Sequence, residues 1–510
     1  MLDTPLPRDA LTAFRDEIEK IALLKTELQP HQQRVVDRIS KPDQPGLVVA
    51  HGLGSGKTLT SIAAQENLGT PSTVVVPAAL QANYAKERKK HLEGKSSPAH
   101  IVSMQNIARK DAPPSDPMMI VDEAHRAREG GTKIQKVLSK NEAQKRMLLT
   151  GSPFYNHPAD IAPLINMAAG ERVLPASRGD FSRRYIAEEK VRPGLINRLR
   201  GVKPGIREMV NPKTRKELGS AFQKWVDYHP GSAEDFPTVE RENVSVPMTR
   251  DQLQVYDTMM KKAPPWVSLK IKSRLPPSKQ ESKELNAFLS ATRQVSNTTA
   301  PFDASRDAQV QDPKIETAFS KLKEQFDTNP NAKAVVYSNF LGAGLDPYKQ
   351  RLQQAGIPYG EFTGEMTRRK RDELVNQYNA GKVRALLLSS AGGEGLDLKG
   401  TRLMQILEPH WNSEKLKQVE GRGIRYKSHA DLPPEERKVL VQNFLATRPR
   451  SGVMERLHLK KPGGSVDEYL TQMSTDKERL ISDFRNLMAQ RQQQVNEAYQ
   501  AQPQVRPRAA

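Results

Sequence analysis

The sequence predicts an α/β protein with two doubly wound parallel-sheet lobes, a helical and basic insertion between them, and a helical C-terminal extension. Short strands that are apolar on both faces recur in two sets, amphipathic helical stretches separate them, and the first strand runs straight into the glycine loop HGLGSGKT (51–58). Runs of this kind belong to parallel sheets covered on both sides by helices.

In chain order, the first set reads GLVVA (46–50), TVVVP (73–77), HIVSM (100–104), MMIVDEAH (118–125) and MLLTGSP (147–153), with helices such as LQANYAKERKKHL (80–92) between them. Met118 and Met119 read as packing residues in a buried strand. From about 166 to 315 the strand pattern fades into basic, proline-punctuated text, for example KKAPPWVSLKIKSRLPPSKQESK (261–283), which favours helix and loop. A second set follows as KAVVYSNF (333–340), YGEFTG (359–364), VRALLLSS (383–390) and RLMQILEP (402–409). The closing QRQQQVNEAYQAQPQVRPRAA (490–510) is expected to fray past a last helix. The expected boundaries are 1–165, 166–315, 316–450 and 451–510.

With 510 residues and a formal net charge of +20, the chain has room for several cores, and its field favours polyanions: nucleic acid or, less often, an anionic membrane surface. A basic surface without a partner is the bland alternative. The absence of cysteine excludes disulfides and thiolate-ligated zinc. No uncharged apolar run approaches the about 18 residues needed to span a bilayer, and the N-terminus lacks a signal-peptide core. The expectation is a soluble intracellular protein without a membrane partner.

The loop at 51–58 places His51 where the phosphate-loop pattern has its first glycine. Gly54, Ser55 and Gly56 still provide a tight turn at a helix N-terminus, Lys57 a charge for the β/γ-phosphates of ATP, and Thr58 a hydroxyl for Mg²⁺. In IVDEAH (120–125), Asp122 and Glu123 end an apolar strand where one carboxylate suits the Mg²⁺ shell and the next suits water activation. The plainer alternative for this pair is an ordinary acidic strand end. His91, His100, His125 and His410 show no metal-ligand spacing. The basic run 261–283 suits a phosphate backbone or simple solvation.

Together, LQPHQ (28–32), HGLGSGKT, VVVPAALQANYAKE (74–87), DEAH, LLTGSPFYN (148–156), SSAGGEGLDLKG (389–400) and QVEGRGIR (418–425) resemble the ordered motifs of superfamily-two helicases, nearest the Swi/Snf-like branch. GRGIRYKSH (421–429) and SVDEYLTQM (465–473) are similar to the large-DNA-virus members, among them the poxvirus nucleoside triphosphate phosphohydrolase I. In this branch the phosphate loop does without its first glycine. The resemblance implies two RecA-like lobes that bind ATP and Mg²⁺, the ion at Thr58 and Asp122. It implies that Gln32 contacts adenine, that Gly395 and Asp397 join the nucleotide site, and that Arg422 and Arg425 are fingers. Thr150, Gly151 and Ser152 would couple nucleotide to bound strand, and Trp411 matches an aromatic position, though a lone Trp is more often core.

The implied activity is a DNA-dependent ATPase that translocates on double-stranded DNA through backbone contacts with little sequence specificity, serving transcription, repair or replication machinery. No bromodomain-, chromodomain- or SANT-like module fits the rest of the sequence. A strand-separating DNA or RNA helicase and an ATP-gated nucleic-acid-binding transcription factor remain alternatives.

Overall fold

The computed structural model describes residues 23–501 apart from 95, 130, 200–201, 232–235, 303–308, 363–365, 390–395, 410–418, 422, 426 and 458–461. The first lobe is built from residues up to 187, 209–232 and 480 onward; the second from 188–208 and 233–479.

In the first lobe, the strands are β1 (Gly46–His51), β2 (Ser72–Val76), β3 (Ala99–Ser103), β4 (Met118–Val121), β5 (Lys145–Thr150) and β6 (Val226–His229). Among the described residues they form one sheet in the order β6-β1-β5-β4-β2-β3, with every pairing parallel. Successive side chains point to opposite faces, so Val48 and Ala50 of β1 enter one core while Leu47 and Val49 enter the other. Helices α1 (Pro30–Ser40) and α2 (Lys57–Leu68) cover the second face with Val35, Val36, Ile39 and Ile62. Helix α3 (Arg215–Trp225) packs Leu218, Phe222 and Trp225 into the first.

The second lobe repeats the plan with β7 (Thr238–Pro247), β8 (Lys333–Ser338), β9 (Tyr359–Phe362), β10 (Ala385–Ser389), β11 (Thr401–Ile406) and β12 (Lys438–Thr447), ordered β7-β12-β11-β8-β10-β9 and again parallel. Helix α4 (Pro265–Ser273) contributes Val267 and Ile271 to a separate helical core in this lobe. The last helix, α5 (Val466–Gln500), places Val466, Tyr469 and Leu470 in that helical core and Leu480, Ile481, Phe484, Leu487 and Met488 in the core of the first lobe.

The stretch expected to be a helical insertion therefore also supplies strands. Val226–His229 is the edge of the first sheet, and Thr238–Pro247 pairs along its length with β12 at the edge of the second. Edge strands are half solvated, so β7 carries charged residues in place of a continuous apolar run. The basic run 261–283 is partly internal: buried Lys270 pairs with Glu281 at 2.5 Å, and Arg274 with Glu468 at 2.9 Å. Among its described side chains, Lys261, Lys262 and Lys272 remain exposed.

Candidate ATPase site

Parallel strands end together at one edge of a sheet, where ligands of doubly wound folds bind. In the first lobe that edge carries the loop after β1, the acidic pair after β4 and Thr150 at the end of β5. Gly56 caps α2 in the left-handed region at φ 72°, which selects glycine there, and a Cβ on it would press on the end of the Gln32 side chain, 2.3 Å from its amide nitrogen. Buried Gln32 donates to the Ser55 carbonyl at 3.1 Å and accepts from the Gln29 amide at 2.9 Å. His31 Nε2 meets the same Ser55 carbonyl at 2.9 Å. The glutamine helix thus grips the phosphate loop by its main chain.

Lys57 Nζ donates to the carbonyls of His51 (2.9 Å) and Gly52 (3.1 Å). Burial lowers its pKa, partly offset by Glu123 and Asp122. Burial and the neighbouring Glu123 charge raise the Asp122 carboxyl to about 6. Burial would also raise Glu123, but the hydrogen bond and charge of His125, with Lys57 and Arg126, outweigh it and hold Glu123 below its ordinary value. Glu123 is held in the left-handed region at φ 50°, a strained conformation of the kind stored at functional sites. His125 Nδ1 stands 3.2 Å from the Glu123 carboxylate and 3.5 Å from the Thr150 hydroxyl, which accepts the Ser152 amide at 3.0 Å. A Cβ on Gly151 would stand 3.7 Å from Lys57 Nζ. One side chain, His125, therefore links the acidic pair to the Thr150–Ser152 turn.

A magnesium–nucleotide complex fits this set. Burial first and the neighbouring Glu123 charge second push the Asp122 carboxyl toward protonation, which a divalent cation would relieve, and the lysine amine donates to loop carbonyls that it can exchange for phosphate oxygens. Thr58 and Asp122 would hold the ion, which would supply positive charge beside the phosphates.

In the second lobe, Arg425 Nη1 donates to the Leu396 carbonyl at 3.0 Å and lies 3.7 Å from Asp397, both partners partly exposed. Ser428 braces the turn by donating to the Arg425 carbonyl at 2.8 Å, beside His429, whose Nε2 meets the Thr401 carbonyl at 2.7 Å. Gly395, His410, Trp411 and Arg422 lie outside the described residues.

Comparison with known proteins agrees with this layout. The SNF2-related domain model matches residues 115–300 and the helicase conserved C-terminal domain model residues 317–427. A protein of Acanthamoeba polyphaga mimivirus named as an ATP-dependent RNA helicase is 30% identical over 477 residues, covering 90% of this chain and 96% of its own. The chain belongs to the SNF2-related helicase family. An African swine fever virus protein named termination factor NPH-I homolog is 24% identical over 87% of this chain and 75% of its own. Among solved structures, the Pyrococcus furiosus Hef helicase domain aligns at 14% identity over 88% of this chain and 99% of its own, with a TM-score of 0.48. By its family this SNF2-related chain is a helicase-like ATPase, and no helix among its described residues is long and apolar enough to cross a membrane.

Sequence reasoning missed several residues of the SNF2-related site. His125 was legible as the end of DEAH, but only the fold brings it to Thr150. Arg34, Arg38, His229 and Asp227 gave no signal, because Asp227 lies in a four-residue strand inside the stretch read as insertion.

Proposed function

We propose that this SNF2-related ATPase is a double-stranded-DNA translocase that hydrolyses ATP when bound to DNA and tracks the phosphate backbone with little sequence reading. The observation that carries the reading is the match of the SNF2-related model over residues 115–300, with the acidic pair joined through His125 to the Thr150–Ser152 turn inside it. Lys57 holds the β/γ-phosphates, Thr58 and Asp122 hold Mg²⁺, and Glu123 polarises the attacking water. Arg422 and Arg425 offset charge in the transition state, and Gln32, Gly54, Ser55, Gly56, Gly395 and Asp397 complete nucleotide binding. When bound, Mg²⁺ neutralises charge on the transferring phosphoryl group. A net charge of +20 supports a polyanionic track.

A strand-separating helicase is the second reading, favoured by the mimivirus relative's name. An ATP-gated transcription factor is a third, favoured by the name of the swine fever virus relative. ATP turnover measured without nucleic acid, with duplex DNA and with RNA, beside triplex-displacement and duplex-unwinding assays, separates them. DNA-stimulated turnover with third-strand displacement and intact duplex is expected. Unwinding without triplex displacement would replace translocation by strand separation, and binding without stimulated turnover would favour the gated factor.

A further inference from the structure

We propose that Asp227 is a positioning residue of the nucleotide site, locking the glutamine helix and the phosphate loop to one buried carboxylate, and that His51 stands in the loop's usual glycine position as an arm of that lock. This rests on the ATPase reading above.

Asp227 is fully buried in β6, the strand beside β1. Arg34 of α1 grips it bidentately, Nε at 2.9 Å and Nη2 at 2.7 Å, the strongest geometry available to a carboxylate. Arg38, one turn further along α1, adds Nη1 at 3.0 Å and donates to the carbonyls of Val226, Gln223 and Lys224. His51 Nε2 supplies the third arm at 2.8 Å. The arginine arms come from the helix that carries Gln32, and the histidine arm comes from the strand whose following loop leads into Lys57.

The segment after Asp227 closes on the loop as well. The Gly52 amide donates to the His229 carbonyl at 2.8 Å, and a Cβ on Gly52 would sit 2.1 Å from the Pro230 carbonyl, so this close approach requires glycine. The His51 carbonyl, meanwhile, accepts Lys57 Nζ. One residue thus joins the carboxylate, through its ring, to the phosphate-binding lysine, through its main chain.

Burying ions is a poor route to stability alone, since apolar replacements of buried ion pairs are often as stable. His51 also leaves Nδ1 without a hydrogen-bond partner among the described residues, an uncompensated cost. What the cluster supplies is direction: four charge-assisted or polar bonds from three side chains fix the loop against the helix, and a loop that is fixed before nucleotide arrives loses less entropy on binding.

The test uses the full chain and three variants. His51→Phe keeps the ring volume and leaves the Arg34 pair intact, Asp227→Asn removes the charge, and Arg34→Lys keeps the charge but loses the fork. Each is followed by steady-state KM and kcat, by equilibrium binding of a fluorescent ATP analogue, and by melting temperature. Expected is a rise in KM and analogue Kd of about tenfold or more for His51→Phe and Asp227→Asn, with kcat at saturating ATP changed by less than about threefold, and a smaller rise for Arg34→Lys. If the wild-type chain turns over ATP and His51→Phe, folded, keeps wild-type KM and Kd, the lock is overturned even if its melting temperature falls. A wild-type chain without ATP turnover would overturn the underlying reading and the lock with it.

Discussion

Removing Lys57 and removing Glu123 should fail differently. Lys57→Ala deletes the point charge that meets the phosphates, so both nucleotide affinity and turnover are expected to vanish in a filter-binding and phosphate-release assay. Glu123→Gln keeps the side chain's shape beside His125 and should retain ATP binding while blocking hydrolysis; turnover near the wild-type rate would remove Glu123 from the chemistry. Arg425→Ala should leave ATP and DNA affinity nearly intact and lower DNA-stimulated kcat by as much as about 10³-fold, since a finger acts in the transition state. Lost DNA binding with normal DNA-free turnover would make it a backbone contact instead. A pH effect belongs to the same scale. Burial, with the charges of His31, His51 and Arg34, depresses His229 to about 4, and its Nδ1 accepts the Gly231 amide at 3.0 Å. The folded state therefore takes up fewer protons than the unfolded one between about 6.5 and about 4, so this contribution to stability is present above that window and lost as pH falls through it. Urea unfolding of His229→Gln should show a shallower acid loss than wild type. Lys57, Asp122 and Glu123 were legible in the sequence because phosphate chemistry dictates residue type and local spacing. Asp227 was not, because its partners Arg34 and His51 are 193 and 176 residues away and no local pattern records that distance.

Among the elements, the central strands were readable because burial on both faces writes an uninterrupted apolar run, as the wholly buried β1 and β2 show. Edge strands lose that signature. β6 has four residues and one is the buried aspartate, while β7 exposes most of its length. From its sequence helix α5 reads only as an extension, because amphipathicity reveals a buried face but not what covers it. Its Phe484 packs against Phe154 and Phe181, with ring centroids 6.2 and 6.1 Å apart. Gln492 accepts the Tyr228 amide at 2.8 Å, and Tyr499 bonds Asp37 of α1. Phe484→Ala should consequently destabilise the first lobe by about 3–5 kcal/mol, read as a lower denaturation midpoint in urea. An unchanged midpoint would mean that the helix does not belong to that core.

For the whole molecule, the net charge of +20 sets an ionic-strength dependence. If several phosphates are neutralised on duplex DNA, log K should fall by about 0.9 per phosphate for each tenfold rise in salt, so a titration by fluorescence anisotropy is expected to give a slope steeper than about −3. A flat response would count against backbone tracking. The make-up of the first lobe has a consequence for its birth. Among the described residues its core draws on Trp225 and Val226, with Tyr228 packed against it, and then on nothing more until Leu480, so about 250 residues must be added before the last contributions arrive. At about 5–20 residues per second that interval is about 12–50 s, during which the nascent lobe exposes the apolar surface reserved for Phe484 and Leu487. The lobe made first is thus the one completed last, and a ribosome stalled before Leu480 should present it as a protease-sensitive chaperone client, while release of the finished chain should make it resistant.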